Sequence, residues 1–242
     1  MRKYYIVVMK KVLEVILEYL NDFLDMIYPR VCLNCDTILV YQEEHICIGC
    51  KFSLPKTNYH IKKDNRLEQK FVFEPKVKAV AAYLYYNKKG VAQKLIAEMK
   101  YRGVSEIGQK LGRWYSNDLK KVNWPVEMIV PVPLHESKLS KRGFNQSELF
   151  AQGLSDGLDI PVISNAVLRV KKTNTQTQKN KVERWQNMDG VYELSDPDMF
   201  KGKNVMVVDD VLTTGATMGE LVSLIANAGA EGIYIACIAA GK

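Results

Sequence analysis

The stretch Val205-Met-Val-Val-Asp-Asp-Val-Leu-Thr-Thr-Gly-Ala-Thr217 constrains what this chain can fold into more than any other part of it. Val205 to Val208 are four apolar residues without polar alternation. They predict a short strand buried on both faces, as in a parallel sheet covered by helices. Two acids follow. Carboxylates are costly to bury without partners, so Asp209 and Asp210 are expected where the strand leaves the core, free to accept hydrogen bonds from a ligand. The next turn offers the hydroxyls of Thr213, Thr214 and Thr217, and Gly215 lets the backbone bend so that N–H groups converge on an anion. A helix predicted from Ala216 to just before Gly229 aims its positive end at the same turn. This order suits a ribose 5-phosphate. Asp209 and Asp210 would take the vicinal hydroxyls, and Thr213, Thr214, Gly215, Ala216 and Thr217 would take the phosphate.

The run resembles the signature of the type I phosphoribosyltransferases, which implies binding of phosphoribosyl pyrophosphate together with Mg2+. Two competing signatures are absent: the chain has neither G-x-x-x-x-G-K-S/T nor G-x-G-x-x-G, so a P-loop and a Rossmann fingerprint are both excluded. The bland alternative is a strand end and helix cap, but turn chemistry alone does not need both acids beside Thr-Thr-Gly-Ala-Thr.

With 242 residues, 47% hydrophobic and 25% charged, the chain has room for one good core and a small appended module. A formal net charge of +7 points weakly towards anionic partners. Strands are predicted at Val77 to Tyr86, from Met128 into Pro131, at Gly190 to Leu194, in the signature run and at Gly232 to Ala239. Helical patterns alternate with them. The expected fold class is therefore α/β, a type I phosphoribosyltransferase-like open, mostly parallel sheet flanked by helices, with its ligand crevice at the strands' carboxyl ends.

Cys32-x2-Cys35 and Cys47-x2-Cys50 read as two knuckles around one tetrahedral zinc, with a short hairpin over Asp36 to Ile46 between them. Disulfides are the alternative. The N-terminus lacks the long apolar run and small-residue cleavage site of an export signal, so a reducing, cytoplasmic compartment is expected, and zinc with it. Cys237, inside an apolar strand, reads as a core thiol. Ahead of the knuckles, apolar residues at helical spacing from Lys10 to Tyr28 form an amphipathic helix stopped by Pro29. No stretch qualifies as a transmembrane span. The helix packs on its own domain or lies peripherally on the inner face of the membrane, though its acidic polar face argues against the latter. The organisation read from this is an N-terminal helix over 1–28, a zinc knuckle over 29–55, a polar, basic linker over 56–76 and the phosphoribosyltransferase-like domain over 77–242.

Met128-Ile-Val-Pro-Val-Pro-Leu-His135 reads as a strand at a sheet edge, since proline cannot donate to the ladder. A polar loop from Glu136 to Gly143 follows, and then a helix capped by Asn145 or Ser147. In the phosphoribosyltransferase fold the loop after this strand binds pyrophosphate, which nominates Leu134, His135 and Arg142. The most basic segment, Arg169 to Arg184, reads as a loop able to follow a phosphate backbone through Lys171, Lys172, Lys179, Lys181 and Arg184. Trp185 beside it could stack on a base or anchor the loop's end in the core.

The zinc knuckle after an amphipathic helix, Pro131-Val-Pro-Leu-His135, Arg142-Gly-Phe-Asn-Gln146, Thr175-x2-Gln178 leading to Arg184-x2-Asn187, and the Asp-Asp run together resemble the ComF family over nearly the whole chain. One departure is Lys179-Asn-Lys181, where the family usually has leucine. The resemblance implies a competence protein that assists uptake or handling of single-stranded DNA. The implied partners are phosphoribosyl pyrophosphate, single-stranded DNA and a DNA-uptake helicase or other competence proteins. The alternative is an active phosphoribosyltransferase acting on a base or amine acceptor; no catalytic base is readable.

Overall fold

The computed structural model describes residues 27–40, 42–170 and 190–241, together with Met9, Val12, Val15, Ile16 and Tyr19. Those five N-terminal residues have helical backbone, and their side chains are exposed. The chain divides into two compact units, Met1–Leu54 and Pro55–Lys242.

In the first unit the backbone is held by isolated bridges between Val31 and Ile38 and between Glu44 and Ile46. Among the described residues the expected hairpin over Asp36 to Ile46 is not formed. Asp36 and His45 turn the chain at positive φ, 60° and 66°, so neither arm runs straight long enough to pair as a ladder. One short helix, α1 (Ile48–Phe52), closes the unit's described part.

The second unit is built on a parallel sheet of four strands: β1 (Val77–Tyr86), β2 (Met128–Pro131), β5 (Asn204–Leu212) and β6 (Gly232–Gly241), in the order β1-β6-β5-β2. A separate antiparallel ribbon pairs β3 (Val167–Arg169) with β4 (Tyr192–Leu194). β6 is buried from Gly232 to Ala240 because it is hydrogen-bonded on both sides, and its alternating small and branched residues fill both faces. Cys237 is among them, fully buried. β2 takes the edge, where Pro131 still fits opposite Val208.

β5 does not stop at Val208. It pairs with β6 through Asp209↔Cys237 and on to Leu212↔Ala240, so the two acids lie within the strand, not after it. Continued pairing satisfies the backbone there, which a free loop would leave to water.

The helices on the sheet are α2 (Val91–Tyr101), α3 (Glu106–Leu119), α4 (Glu136–Arg142), α5 (Gln146–Leu158) and α6 (Ala216–Asn227). α2 buries Ala92, Leu95, Ile96 and Met99, as its spacing predicts. In α3 the fully buried aromatic is Tyr115, stacked on Phe150, whereas Trp114 is only half-buried. α3 and α5 touch through glycines. A Cβ on Gly112 would fall 2.4 Å from the Phe150 carbonyl, and one on Gly153 would fall 2.0 Å from the Gln109 carbonyl. The backbones meet with nothing between them.

Residues 56–76 differ from the linker expected of their charge. Thr57 N donates to Tyr83 O at 3.0 Å and Lys56 bridges to Leu84, so the segment covers the free edge of β1. Asn65, 5% exposed, donates to Val80 O at 3.0 Å, and Leu67 and Phe71 are each 1% exposed. A few apolar anchors among the lysines suffice to order the segment, at about 2 kcal/mol for each large side chain buried.

Candidate functional site

The carboxyl end of β5 brings together side chains from three elements, β5 itself, α5 and α2. Ser147, in the first turn of α5, donates its hydroxyl to Asp209 Oδ1 at 2.8 Å, and the Asp210 amide donates to the same oxygen at 2.8 Å. Burial, with the negative Asp210 alongside, pushes the Asp209 carboxyl up to about 7. Lys100, at the end of α2, places Nζ 2.5 Å from Asp210 Oδ2, and both side chains are largely buried, at 20% and 16% exposed. The expectation of two carboxylates free for a ligand is thus corrected. Each is engaged within the protein, because acids held inside a paired strand need internal partners.

The turn after β5 is open. Thr213, Thr214, Ala216 and Thr217 are exposed, and Gly215 takes φ +82° as the N-cap of α6. Thr214 Oγ1 accepts from Ala216 N at 3.4 Å, and no side chain caps the helix at Gly215. The helix's positive end and three hydroxyls therefore share one exposed bend.

Of the pyrophosphate candidates, Leu134 is half-buried and His135 is the N-cap of α4, its Nδ1 accepting from Ser137 N at 3.2 Å. The polar loop expected over Glu136 to Gly143 is this helix, ended by Gly143 at φ +80°. Glu136 in the first turn and Lys141 and Arg142 in the last complement its dipole, a pattern hidden by the polarity of the segment. Arg142 Nη1 donates to Gln146 Oε1 at 2.9 Å, and its guanidinium lies 5.8 Å from the Tyr101 ring. Asn145 caps α5 by accepting from Ser147 N at 3.1 Å, and it donates to Val132 O at 3.0 Å, tying the end of β2 to α5. Gln146 is 1% exposed, and its Nε2 has no partner among the described residues.

Lys100, Ser147 as an acid partner, and Gln146 were not legible as site residues. Lys100 reads only as a helix end, and its pairing with Asp210 is a tertiary contact without local signal. The nucleic-acid candidates Lys171, Lys172, Lys179, Lys181 and Arg184, and Trp185 with them, lie outside the described residues. At the base of that segment Arg169 lies 5.7 Å over the Tyr192 ring, and Val191 N donates to Glu220 Oε1 on α6 at 2.9 Å.

In the first unit the sulfurs of Cys32, Cys35, Cys47 and Cys50 lie within 4.8 Å of one another. Cys35 and Cys47 are 3.7 Å apart, close to the edge, about 3.8 Å, of a tetrahedron with zinc–sulfur bonds of about 2.3 Å. Cys50 N donates to Cys47 Sγ at 3.4 Å, and Asn34 Nδ2 to Cys50 Sγ at 3.3 Å, orienting the sulfurs. Thr37, through its hydroxyl and its backbone, pulls the Cys35 thiol down to about 6, towards the thiolate that a metal binds. The donor set fits one structural zinc.

A phosphoribosyl transferase domain model matches residues 145–242, from the cap of α5 through β6. Competence protein F of Haemophilus influenzae is 41% identical over 110 residues, covering 45% of this chain and 48% of that one. DNA utilization protein YhgH of Escherichia coli is 33% identical over 150 residues, covering 60% and 65%. Competence protein ComFC of Bacillus subtilis is 26% identical over 192 residues, covering 78% and 75%. The matched region thus spans about half of the first relative's length and just under two thirds of the second's. The parallel sheet, its acid-bearing strand and the domain match define a phosphoribosyltransferase-type fold. Within that class the chain is similar to proteins named competence protein F, competence protein ComFC and DNA utilization protein YhgH. No helix among its described residues is long and apolar enough to cross a membrane.

Proposed function

We propose that this chain assists the uptake or handling of single-stranded DNA during competence, and that its phosphoribosyltransferase-like domain binds phosphoribosyl pyrophosphate with Mg2+. One observation carries the ligand reading. The acids of β5, Lys100 and Ser147 meet at the strand's carboxyl end, directly before the exposed Thr213 to Thr217 bend. A phosphorylated ribose offers a diol that competes with Ser147 and Lys100 for Asp209 and Asp210, and a phosphate for Thr213, Thr214, Gly215, Ala216 and Thr217. Arg142 and the backbone of Leu134 and His135 would hold the pyrophosphate, and Mg2+ bound with it would neutralise its charge.

The DNA reading draws on the printed names of the relatives and on the basic residues Lys171, Lys172, Lys179, Lys181 and Arg184. The zinc unit is structural, and the protein works on the cytoplasmic side, with a DNA-uptake helicase or other competence proteins as partners.

Calorimetry with phosphoribosyl pyrophosphate and Mg2+ tests the pocket. Wild type binds, and the D209A/D210A double variant loses binding while keeping its fold. Equal affinity in the two proteins sinks the reading. Pyrophosphate release in the presence of candidate bases or amines separates a binding module from an active transferase.

A further inference from the structure

The segment 56–76 brings more than packing to the exposed bend. Its 3-10 turn (Glu68–Phe71) lies against Gly215: a Cβ there would meet the Phe71 ring at 3.4 Å and the Lys70 Cβ at 3.7 Å. Farther along α6, a Cβ on Gly219 would meet Phe73 at 3.1 Å, and Lys76 Nζ donates to Ala226 O at 3.0 Å near the helix's end. The segment thus runs beside α6 from its first residue to its last turn. Phe71 is buried and fixes the turn, while Lys70 is exposed and donates its ammonium to the Thr213 carbonyl.

We propose that Lys70 is a phosphate-binding residue of the ribose 5-phosphate cradle, supplied to the Thr213–Thr217 bend by the preceding segment. This rests on the ribose-phosphate reading above and adds a residue to it. The bend offers only neutral donors, namely hydroxyls and backbone amides, to a ligand group carrying nearly two negative charges. Among the described residues Lys70 is a cation already hydrogen-bonded to that bend. A lysine ammonium has three donors on a flexible stem, so one can stay on Thr213 O while another reaches a phosphate oxygen. A phosphate is the stronger acceptor of the two, because charge-assisted hydrogen bonds gain more than those to a neutral carbonyl. Phe71 anchors the backbone next door, so the side chain needs only rotamer changes to engage the ligand.

The test is titration calorimetry of ribose 5-phosphate into wild type, K70Q and K70R at several salt concentrations, with thermal melts of the ligand-free proteins. Wild type is expected to bind, and K70Q to bind roughly tenfold more weakly, as for a lost hydrogen bond to a charged group. K70R should retain most of the affinity. Wild-type affinity should also fall more steeply with salt than that of K70Q, because only wild type carries the cation. A merely structural role for Lys70 would lower affinity without changing the salt slope, so equal slopes overturn the assignment. Equal affinities of wild type and K70Q overturn it too while leaving the site itself standing. Absence of ribose 5-phosphate binding by wild type overturns both together.

Discussion

Lys100 Nζ and Asp210 Oδ2 lie 2.5 Å apart, in a pair that joins the end of α2 to the carboxyl end of β5. The carboxylate that the sequence offers to a ribose is thus held by an internal cation until a ligand competes for it. Because both side chains are mostly buried, loss of either partner strands a charge. K100Q and D210N should each destabilise the domain by about 1–2 kcal/mol, between the ranges for exposed and fully buried pairs. The double variant should cost less than the sum. Urea melts of the four proteins measure this coupling; strict additivity would show that the pair contributes nothing.

The carboxyl of Asp209 stands at about 7, above the usual carboxylate value, because burial and the neighbouring Asp210 disfavour its charge. A group with a raised folded-state pKa contributes most to stability below its unfolded pKa, near 4, and that contribution is lost as pH rises through about 7. Wild type should therefore lose stability between about pH 4 and pH 7, on the order of 1 kcal/mol per pH unit. D209N should flatten that slope. Thermal melts across this window decide the point, and parallel profiles for the two proteins would contradict it.

The glycine contact between α3 and α5 makes a sharper demand. A methyl on Gly153 meets the Gln109 carbonyl at 2.0 Å, and the helices must separate to admit it. G153A should cost about 2–3 kcal/mol despite alanine's better helix propensity. Because α5 carries Ser147 and Asn145 into the site, ligand affinity should fall with it. Chemical denaturation that finds G153A as stable as wild type would show that the helices have slack.

One zinc per chain is expected in protein purified without chelator, and C35S should release it at far lower chelator concentrations. A colorimetric zinc assay gives the stoichiometry. Chelation should melt the Met1–Leu54 unit while the Pro55–Lys242 unit, with its own core, keeps its transition. A single cooperative loss of all structure would refute that independence.

Local patterns carried much of this fold. Apolar runs announced β1, β5 and β6, and α2 and α5 followed their spacing and caps. The four cysteines were legible through spacing alone as a group able to hold one metal ion, and their sulfurs do lie together. Patterns failed where polarity masked order. The charged helix α4 carries no buried residue to mark a period, and 56–76 hides its anchors Leu67 and Phe71 among lysines. The partners of the acids were illegible for a different reason. Lys100 and Ser147 reach Asp210 and Asp209 only once the sheet has brought distant segments together, and no window of sequence contains both ends of such a contact.

The place of β6 between β1 and β5 bears on how the protein is made. The strand latest in this sequence order is the one that both β1 and β5 need on their inner flanks. Until β6 docks between them, β1 and β5 present bare hydrogen-bonding edges to any chaperone or neighbouring chain. Loss of β6 would therefore part β1 from β5 and split the sheet, where loss of the edge strand β2 would merely trim a margin.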